Sequence, residues 1–593
     1  MPEGGGEQAQ ASQWQEITDF SRGIIQTTGL HWPLGAAEEA GTYRCHTSSS
    51  GALKPLPRLH DVFKMGPPTP PTASNLQSEE HRLVGLAVTG PHYGGPNNPT
   101  VGVDANMSEI FVCVEAWEEN GGDGTDRLHL RVIRYNRHQS NPNWETVWHV
   151  TEDIDYNMNV RPRSCSFDLQ WSNSENRDQM GPVVLCWAVT GHARMFPDDT
   201  ASTTTGHAAL PGDKNDKPIP GGFWDPSSLI AHQGRIVIFP ISIIGWGADA
   251  VWVTSEAAYW TKVNDVSERD QELIDQELWR VPIATTRHPS GFGPIVSLGG
   301  DELLLVKLQG GAVLIRGDLS DATVEHLPFI QSCGLALNRG VLTNIGFVYP
   351  IDGGGVWLYG GGETSEDIAQ DMSGGFWRPA QGATTSGTPP NPATHPWGHA
   401  ATQCAASSDF VFMPDNWIFD LENPGWWKLE APGEWPAHRW AVDMRNRYAY
   451  STPSGFLTGN DDVVREYRID RPADSFSWKS QPIPTASPGD NLSFDSLELL
   501  ATANPLTGGD DEGGKVTVTI SSAEGASQSF EFHVPGTAIN RADWFRKRVN
   551  VRGTYIQIQI ESEAYDSNNG APVVHAIRWK AQHRRPTKVQ GEL

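Results

Sequence analysis

Short apolar runs cut off by glycine, proline, asparagine or aspartate recur along almost the whole sequence, and this punctuation restricts the fold more than any other feature. The 593 residues include 61 Gly and 43 Pro. Long helices, coiled coils and membrane-spanning helices need uninterrupted stretches that such a chain does not supply. No run approaches the ~18 apolar residues of a spanning helix. Strands joined by tight reversals fit, because Gly supplies positive φ and Asn-Pro initiates turns.

The pattern is clearest in residues 83–90, 110–117, 128–135 and 146–150, which alternate with Gly121-Gly122-Asp123-Gly124 and Ser140-Asn141-Pro142-Asn143. Four such strands make one blade of a β-propeller. Similar groups follow, several closed by tryptophan at Trp148, Trp260, Trp377, Trp427 and Trp478. The gap from 377 to 427 is 50 residues, that from 427 to 478 is 51, and that from 148 to 260 is 112, close to twice as much. Propeller repeats run at about 40–50 residues, so the spacing predicts a propeller. With the polar insertion at 198–222 allowed for, about six or seven blades fit.

Between these groups, residues 228–239 and 250–255 read as strands, and 301–306 and 312–316 form a hairpin across Gly310-Gly311. One segment, 267–279, has a helix signature: a Ser267 cap and an acidic first turn. Beyond Trp478 the pattern changes. Strands at 496–501, 515–521, 528–533, 554–562 and 573–580 are spaced like a β-sandwich, with Ile556, Ile558 and Ile560 on the core side and Gln557 and Gln559 in water. The expected architecture is all-β: an N-terminal extended arm over 1–80, a propeller over 81–475, and a C-terminal sandwich over 476–593 that serves assembly, with the boundary between 470 and 481.

The net charge is −27. That sign disfavours specific nucleic-acid recognition and anionic membranes as partners of the whole surface. From Arg541 onward there are ten Lys/Arg against five Asp/Glu, +5, which leaves −32 for the rest. An acidic body with a basic terminal module can dock to an acidic neighbour or to another copy. The six cysteines have no Cys-x-x-Cys pair and several sit in apolar runs, as expected of reduced thiols in a protein made in the cytoplasm without an export signal.

The search for chemistry nominates no catalytic, cofactor-binding or metal-ligating residue. Gly353-Gly354-Gly355 and Gly360-Gly361-Gly362 lack the Lys-Ser/Thr of a phosphate loop and read as blade turns. His395, His399 and Cys404 have zinc-type spacing without a fourth ligand. Asp153 and Asp155, and the Asp213–Asp216 stretch, lack the glycine and glutamate of a calcium loop. The Asp-box of sialidase propellers begins at Ser166-Phe167-Asp168 and then fails, and no Gly-x-Ser-x-Gly elbow is present.

Several segments nevertheless resemble the β-propeller tail proteins of double-stranded DNA bacteriophages, a group spanning short-tail nozzles and minor proteins of long-tail tips. Asp19-Phe20-Ser21-Arg22-Gly23-Ile24-Ile25 resembles their opening strand. Tyr43-Arg44-Cys45 with Gly51-Ala52-Leu53-Lys54-Pro55 resembles the segment after it. His232-Gln233-Gly234-Arg235-Ile236-Val237 followed by Val251-Trp252-Val253-Thr254-Ser255, and Trp417-Ile418-Phe419-Asp420-Leu421 followed by Trp427, are similar to their blades. Phe476-Ser477-Trp478-Lys479-Ser480 is similar to the strand leading into their sandwich. The sequence departs from the pattern at Arg22 and at Gln481, where Gly and Lys are common.

The resemblance implies a structural virion protein of the tail, at tip or nozzle, with copies in a ring around the DNA channel and neighbouring tail proteins as partners. The basic residues Arg546, Lys547, Arg548 and Arg552 are then candidates for assembly. A carbohydrate-binding propeller for host attachment is the alternative, with Trp246, Trp397 and Trp435 as stacking platforms beside Gly or Pro for a host-surface glycan. A propeller glycosidase is the third reading.

Overall fold

The computed structural model of the chain describes residues 13–26, 33–65, 81–91, 108–118, 127–136, 143–153, 165–169, 183–187, 192–196, 208–209, 225–244, 251–254, 257–262, 265–269, 280–282, 292–307, 310–318, 321–332, 340–351, 355–372, 403–431, 434–435, 437–443, 445–453, 456–457, 462–484, 491–504, 513–538, 542–566 and 569–584. Among these the regular structure is strand, with no α-helix.

Seven antiparallel sheets occupy residues 57–472. The first runs His81–Pro91, Ser108–Glu118, Arg127–Asn136 and Asn143–Asp153, the four strands expected there. The next five begin with Cys165–Leu169, Asp225–His232, Phe292–Gly299, Val341–Thr343 and Ala405–Ala406. The seventh contains Ala437–Val442, Tyr448–Pro453 and Asp462–Pro472. The first strand of each sheet touches the first strand of the next, and Ala437–Val442 touches His81–Pro91, so the circle closes. This is a β-propeller.

Burial on both faces explains the continuous apolar runs. In the fourth sheet, Leu303 and Leu305 pack with Ile230 and Val237 of the third, while Leu304 and Val306 pack with Phe347 and Tyr349 of the fifth. The Gly310-Gly311 hairpin forms as expected, pairing Glu302–Lys307 with Ala312–Arg316. Gly311 has φ +91°, and a Cβ there would lie 2.3 Å from the Leu327 carbonyl oxygen, so only glycine fits.

Two further sheets pack face to face. One holds Asn491–Asn504, Gly570–Arg584 and Asp543–Arg548; the other holds Tyr555–Ala564, Gly514–Ser522, Ser527–Val534 and Ser475–Lys479. Leu497, Leu499, Ile577 and Trp579 from the first meet Val518, Ile556, Ile558 and Ile560 from the second in one core. Each fully buried isoleucine contributes about 1.5–3 kcal/mol. The chain passes from propeller to this pair between Pro472 and Ser475.

Four features differ from the sequence expectation. Among the described residues of 1–80, Pro57–Lys64 is the edge strand of the seventh sheet, paired with Asp462–Pro472, whereas Gln13–Ile17 and Leu53–Pro55 join Gly570–Arg584. Ser267 lies not in a helix but in the strand Asp265–Arg269, because cross-strand pairing with Ala257–Lys262 overrides the local cap signal; residues 270–279 lie outside the described residues. Trp478 closes no blade. It is fully buried against Phe20, ring centroids 5.0 Å apart, in the strand paired with Tyr555–Ala564. Gln557 and Gln559 are half-buried rather than in water: the arm lies against Gln557, which donates to Glu38 Oε2 at 2.6 Å, and Gln559 donates to Glu561 Oε1 at 3.0 Å.

The arm also joins the two parts. Phe20, Ile24 and Leu53 share a core with Trp427 of the sixth sheet and with Trp579. Gln481, at the position where the phage proteins commonly have Lys, donates to the carbonyls of Ile25 (2.8 Å) and Ala37 (3.0 Å).

Candidate functional site

Strand alternation determines what the outer face of the Asn491–Asn504 sheet presents. Ile17, Ile577, Trp579, Leu497 and Leu499 point into the core. Their neighbours Glu16, Arg578, Glu498 and Arg546 therefore point out, and the register places them in one row: Glu16 opposite Arg578, Arg578 opposite Glu498, Glu498 opposite Arg546. Charges alternate along the row, which is the favourable cross-strand arrangement. Arg578 bonds Glu498 through Nε (2.6 Å) and Nη2 (2.5 Å), and Arg546 Nε lies 3.5 Å from the other carboxylate oxygen.

Two tryptophans flank this row. The Arg578 guanidinium lies 3.9 Å from the ring centre of Trp544 and 5.1 Å from that of Trp14. Each cation–π contact at such a site is worth about 0.5–1 kcal/mol. Their larger effect is to hold Arg578 in one conformation while both rings stay in reach of a partner: Trp14 is 43% and Trp544 40% exposed. Exposed Trp and a pre-oriented Arg are the residue types that carry protein–protein contacts.

The four basic residues nominated from sequence divide by strand parity. Arg546 and Arg548 project outward beside Trp544, and Arg552 lies on the same sheet opposite Ser493. Lys547 instead runs to the edge of the second sheet, its ammonium 5.9 Å from the Phe532 ring. Of the three nominated tryptophans, Trp246 and Trp397 lie outside the described residues. Trp435 is half-buried, with the Arg465 guanidinium 4.5 Å over its ring and its indole N–H donated to Ser451 Oγ at 2.8 Å. Trp14, Trp544 and Arg578 were not nominated. Their signal was alternation, Trp14-x-Glu16, Trp544-x-Arg546-x-Arg548 and Arg578-x-Lys580, but nothing in the sequence places those strands side by side.

Elsewhere, His395 and His399 lie outside the described residues. Burial pushes the Cys404 thiol far up, and its Sγ sits 3.3 Å from Met413 Sδ. Asp153 pairs with Arg127 at 3.1 Å, and the Asp213–Asp216 stretch lies outside the described residues. Gly361 and Gly362, with φ +97° and +98°, turn the chain out of Val356–Tyr359. Among the described residues no group of three His, Cys, Asp or Glu is arranged to hold a metal.

His149, His232 and His575 give a pH dependence, burial lowering the pKa of His149 first and the nearby Arg131 adding to it. Burial lowers the pKa of both His232, whose Nδ1 faces Ser297 Oγ at 2.8 Å, and His575, whose Nε2 faces Thr502 Oγ1 at 2.9 Å. The nearby charge of Asp301 opposes the shift at His232 without reversing it. The unfolded chain therefore binds more protons at acid pH. Their contribution to stability is full above about pH 6.5 and declines as pH falls toward the depressed values. Urea midpoints between pH 8 and pH 5 should fall on the acid side, and the fall should shrink in His232→Gln.

No protein-family model matches the sequence, and no curated protein matches it. Among solved structures, the Cps50 (Swd1) β-propeller domain of Myceliophteria thermophila is 8% identical, with 66% of this chain and 99% of that one covered and a TM-score of 0.30. A glycoside hydrolase family 43 arabinoxylan arabinofuranohydrolase from Bacillus subtilis, in complex with cellotetraose, is 10% identical over 85% of this chain and 96% of that one, TM-score 0.22. TmCBM61, in complex with β-1,4-galactotriose, is 13% identical over 25% and 88%, TM-score 0.13. Likenesses this distant carry no function across.

Proposed function

We propose that this chain is a structural docking protein, a tail component of a tailed double-stranded DNA bacteriophage, in which copies assemble through the sandwich. In this reading the propeller has seven blades, the last closed by Pro57–Lys64, and it is carried on a β-sandwich clamped by the N-terminal arm. The observation that carries the docking role is the exposed Trp14–Arg578–Trp544 stack beside Arg546 and Arg548. A flat sheet face with anchored aromatics and pre-oriented cations suits a protein surface. Sugar stacking on the same rings is less suited, because the guanidinium of Arg578 stands between them. The phage part of the reading rests on the sequence resemblance of the arm, whose Phe20, Gly23, Arg44 and Cys45 sit at its contacts with sandwich and sixth sheet.

Sedimentation of the purified protein tests the reading. The wild type should self-associate, and Arg546→Glu with Arg548→Glu should weaken that association by about a hundredfold or more, because charge reversal turns attraction across the contact into repulsion. Lys547→Glu alone should leave association near wild type, since that side chain runs to the sandwich edge. Equal losses from Lys547→Glu and from the outward pair would remove this face as the docking surface. In a phage carrying this chain, the outward pair should also block tail completion.

A further inference from the structure

We infer that the sandwich is bipolar and that the partner of its basic face is the outer face of the opposite sheet on a second copy of this chain. The inference rests on the docking reading above and names the counter-surface.

Strand alternation again determines what the opposite sheet displays. Val516, Val518, Ile520, Ile556, Ile558 and Ile560 point into the core. The residues between them point out, and the register sets Glu531, Thr517 and Glu561 in one row, His533, Lys515 and Glu563 in the next, and Ser529, Thr519 and Gln559 in a third. Glu531, Glu561 and Glu563 are exposed. Lys515 lies 3.5 Å from Glu563 and 4.0 Å from Glu531, so one cation stands among three carboxylates. Short hydroxyl side chains fill the centre, and the arm covers the face only toward Gln557 and Ser477. Tyr565, 51% exposed and stacked on His533, and Tyr555, 41% exposed, stand at its ends.

The other outer face has the reverse balance. Arg546, Arg548, Arg552, Arg578 and Lys580 outnumber Glu16 and Glu498. Basic-to-basic docking between two copies would set like charges opposite each other, which costs several kcal/mol of discrimination. Basic-to-acidic docking brings opposite charges together across two flat sheets. The two outer faces of one sandwich point in opposite directions, so each contact leaves one face of each kind available for the next copy. A contact of this kind is heterologous: it closes into a ring where the rotation from copy to copy closes and extends as a filament where it does not.

Charge reversal on each face separately tests this. Arg546→Glu/Arg548→Glu makes both faces acidic, and Glu561→Arg/Glu563→Arg makes both basic. Each variant alone should lose self-association by about a hundredfold or more, and an equimolar mixture should regain it, because every acidic face then meets a basic one. Circular dichroism confirms that the variants are folded. Association of the wild type should also weaken as salt rises. Wild-type self-association unaffected by Glu561→Arg/Glu563→Arg overturns the acidic counter-face while leaving the docking role standing. A wild type that stays monomeric at high concentration overturns self-docking itself. Loss in both variants without recovery on mixing overturns the pairing of the two faces.

Discussion

Replacing Glu430 with leucine is expected to destabilise the protein by about 3 kcal/mol and to release the N-terminal arm. The carboxylate is 1% exposed and serves three partners, one on the arm and two on the strand Asp462–Pro472. Arg44 of the arm donates to it through Nη2 (2.5 Å) and Nε (3.1 Å), Tyr467 donates its hydroxyl at 3.0 Å, and Arg465 Nη1 lies 3.9 Å away. Burial alone would lower the pKa of Arg44, but Glu430 more than offsets this and raises it. Burial, reinforced by the same carboxylate, pushes the Tyr467 phenol far up.

Removing one partner of a buried pair costs about 3–5 kcal/mol because the other charge is left unpaired. The lower end applies here, since the Arg44 side chain is 30% exposed and Glu434 lies 3.6 Å from it. Arg44 has φ +58°, a conformation that a non-glycine residue holds only while its surroundings enforce it. Denaturant titration should show the loss, and limited proteolysis should show earlier cutting within 33–56. Arg44→Met in the leucine background should recover part of it, because an apolar pair needs no counter-charge. A leucine variant within about 0.5 kcal/mol of wild type would show that the network is dispensable.

Where the sequence could be read well, a local signal agreed with the tertiary outcome. The first sheet was visible strand by strand because its apolar runs are long and its turns carry Gly and Asn-Pro. The Ile556, Ile558, Ile560 alternation gave the core side of its strand correctly. The tryptophan spacing misled in detail. Trp148, Trp260 and Trp427 occupy propeller strands, yet Trp478 lies in the strand paired with Tyr555–Ala564. First strands beginning at 81, 165, 225, 292, 341, 405 and 437 are unevenly spaced, and the strands themselves range from the 11 residues of His81–Pro91 to the 2 of Ala405–Ala406, so no fixed period marks them. The edge strand Pro57–Lys64 was unreadable for a different reason. Its pairing with Asp462–Pro472 joins segments about 400 residues apart, and no local chemistry specifies so distant a partner.

The proposed docking face shows the same limit. The basic excess after residue 541 was plain, and it led to Arg546 and Arg548. It could not show that Lys547 faces the other way without the register of Asp543–Arg548 against Asn491–Asn504. Trp14 and Trp544 come from opposite ends of the chain and meet only through Arg578. Aromatic–cation recognition of this kind is a property of sheet topology, so composition indicates its ingredients and not its place.

The Trp440→Ala variant should lose about 3–5 kcal/mol and loosen the propeller where its circle closes. Trp440 is fully buried in Ala437–Val442, the strand that touches His81–Pro91 and so joins the last sheet to the first. Its ring packs on Phe412 (5.1 Å) and Tyr467 (5.6 Å), and its indole N–H donates to the Met413 carbonyl at 2.8 Å. Alanine removes the packing and the donor together. The walls of the site are strands of two sheets already held by their own ladders, so they cannot collapse into the void, and the cost should reach the upper part of that range. Trp440→Phe keeps most of the ring and loses mainly the hydrogen bond, at about 1–3 kcal/mol. Hydrogen exchange should quicken in Ala437–Val442 and His81–Pro91 before it does in Gly514–Ser522, because Trp440 sits in the first of these strands whereas Gly514–Ser522 is held on both sides by Ser527–Val534 and Tyr555–Ala564. An alanine variant that opens both regions together would mean that propeller and sandwich unfold as one cooperative unit through the arm, and the effect of Glu430→Leu should then spread to the sandwich as well.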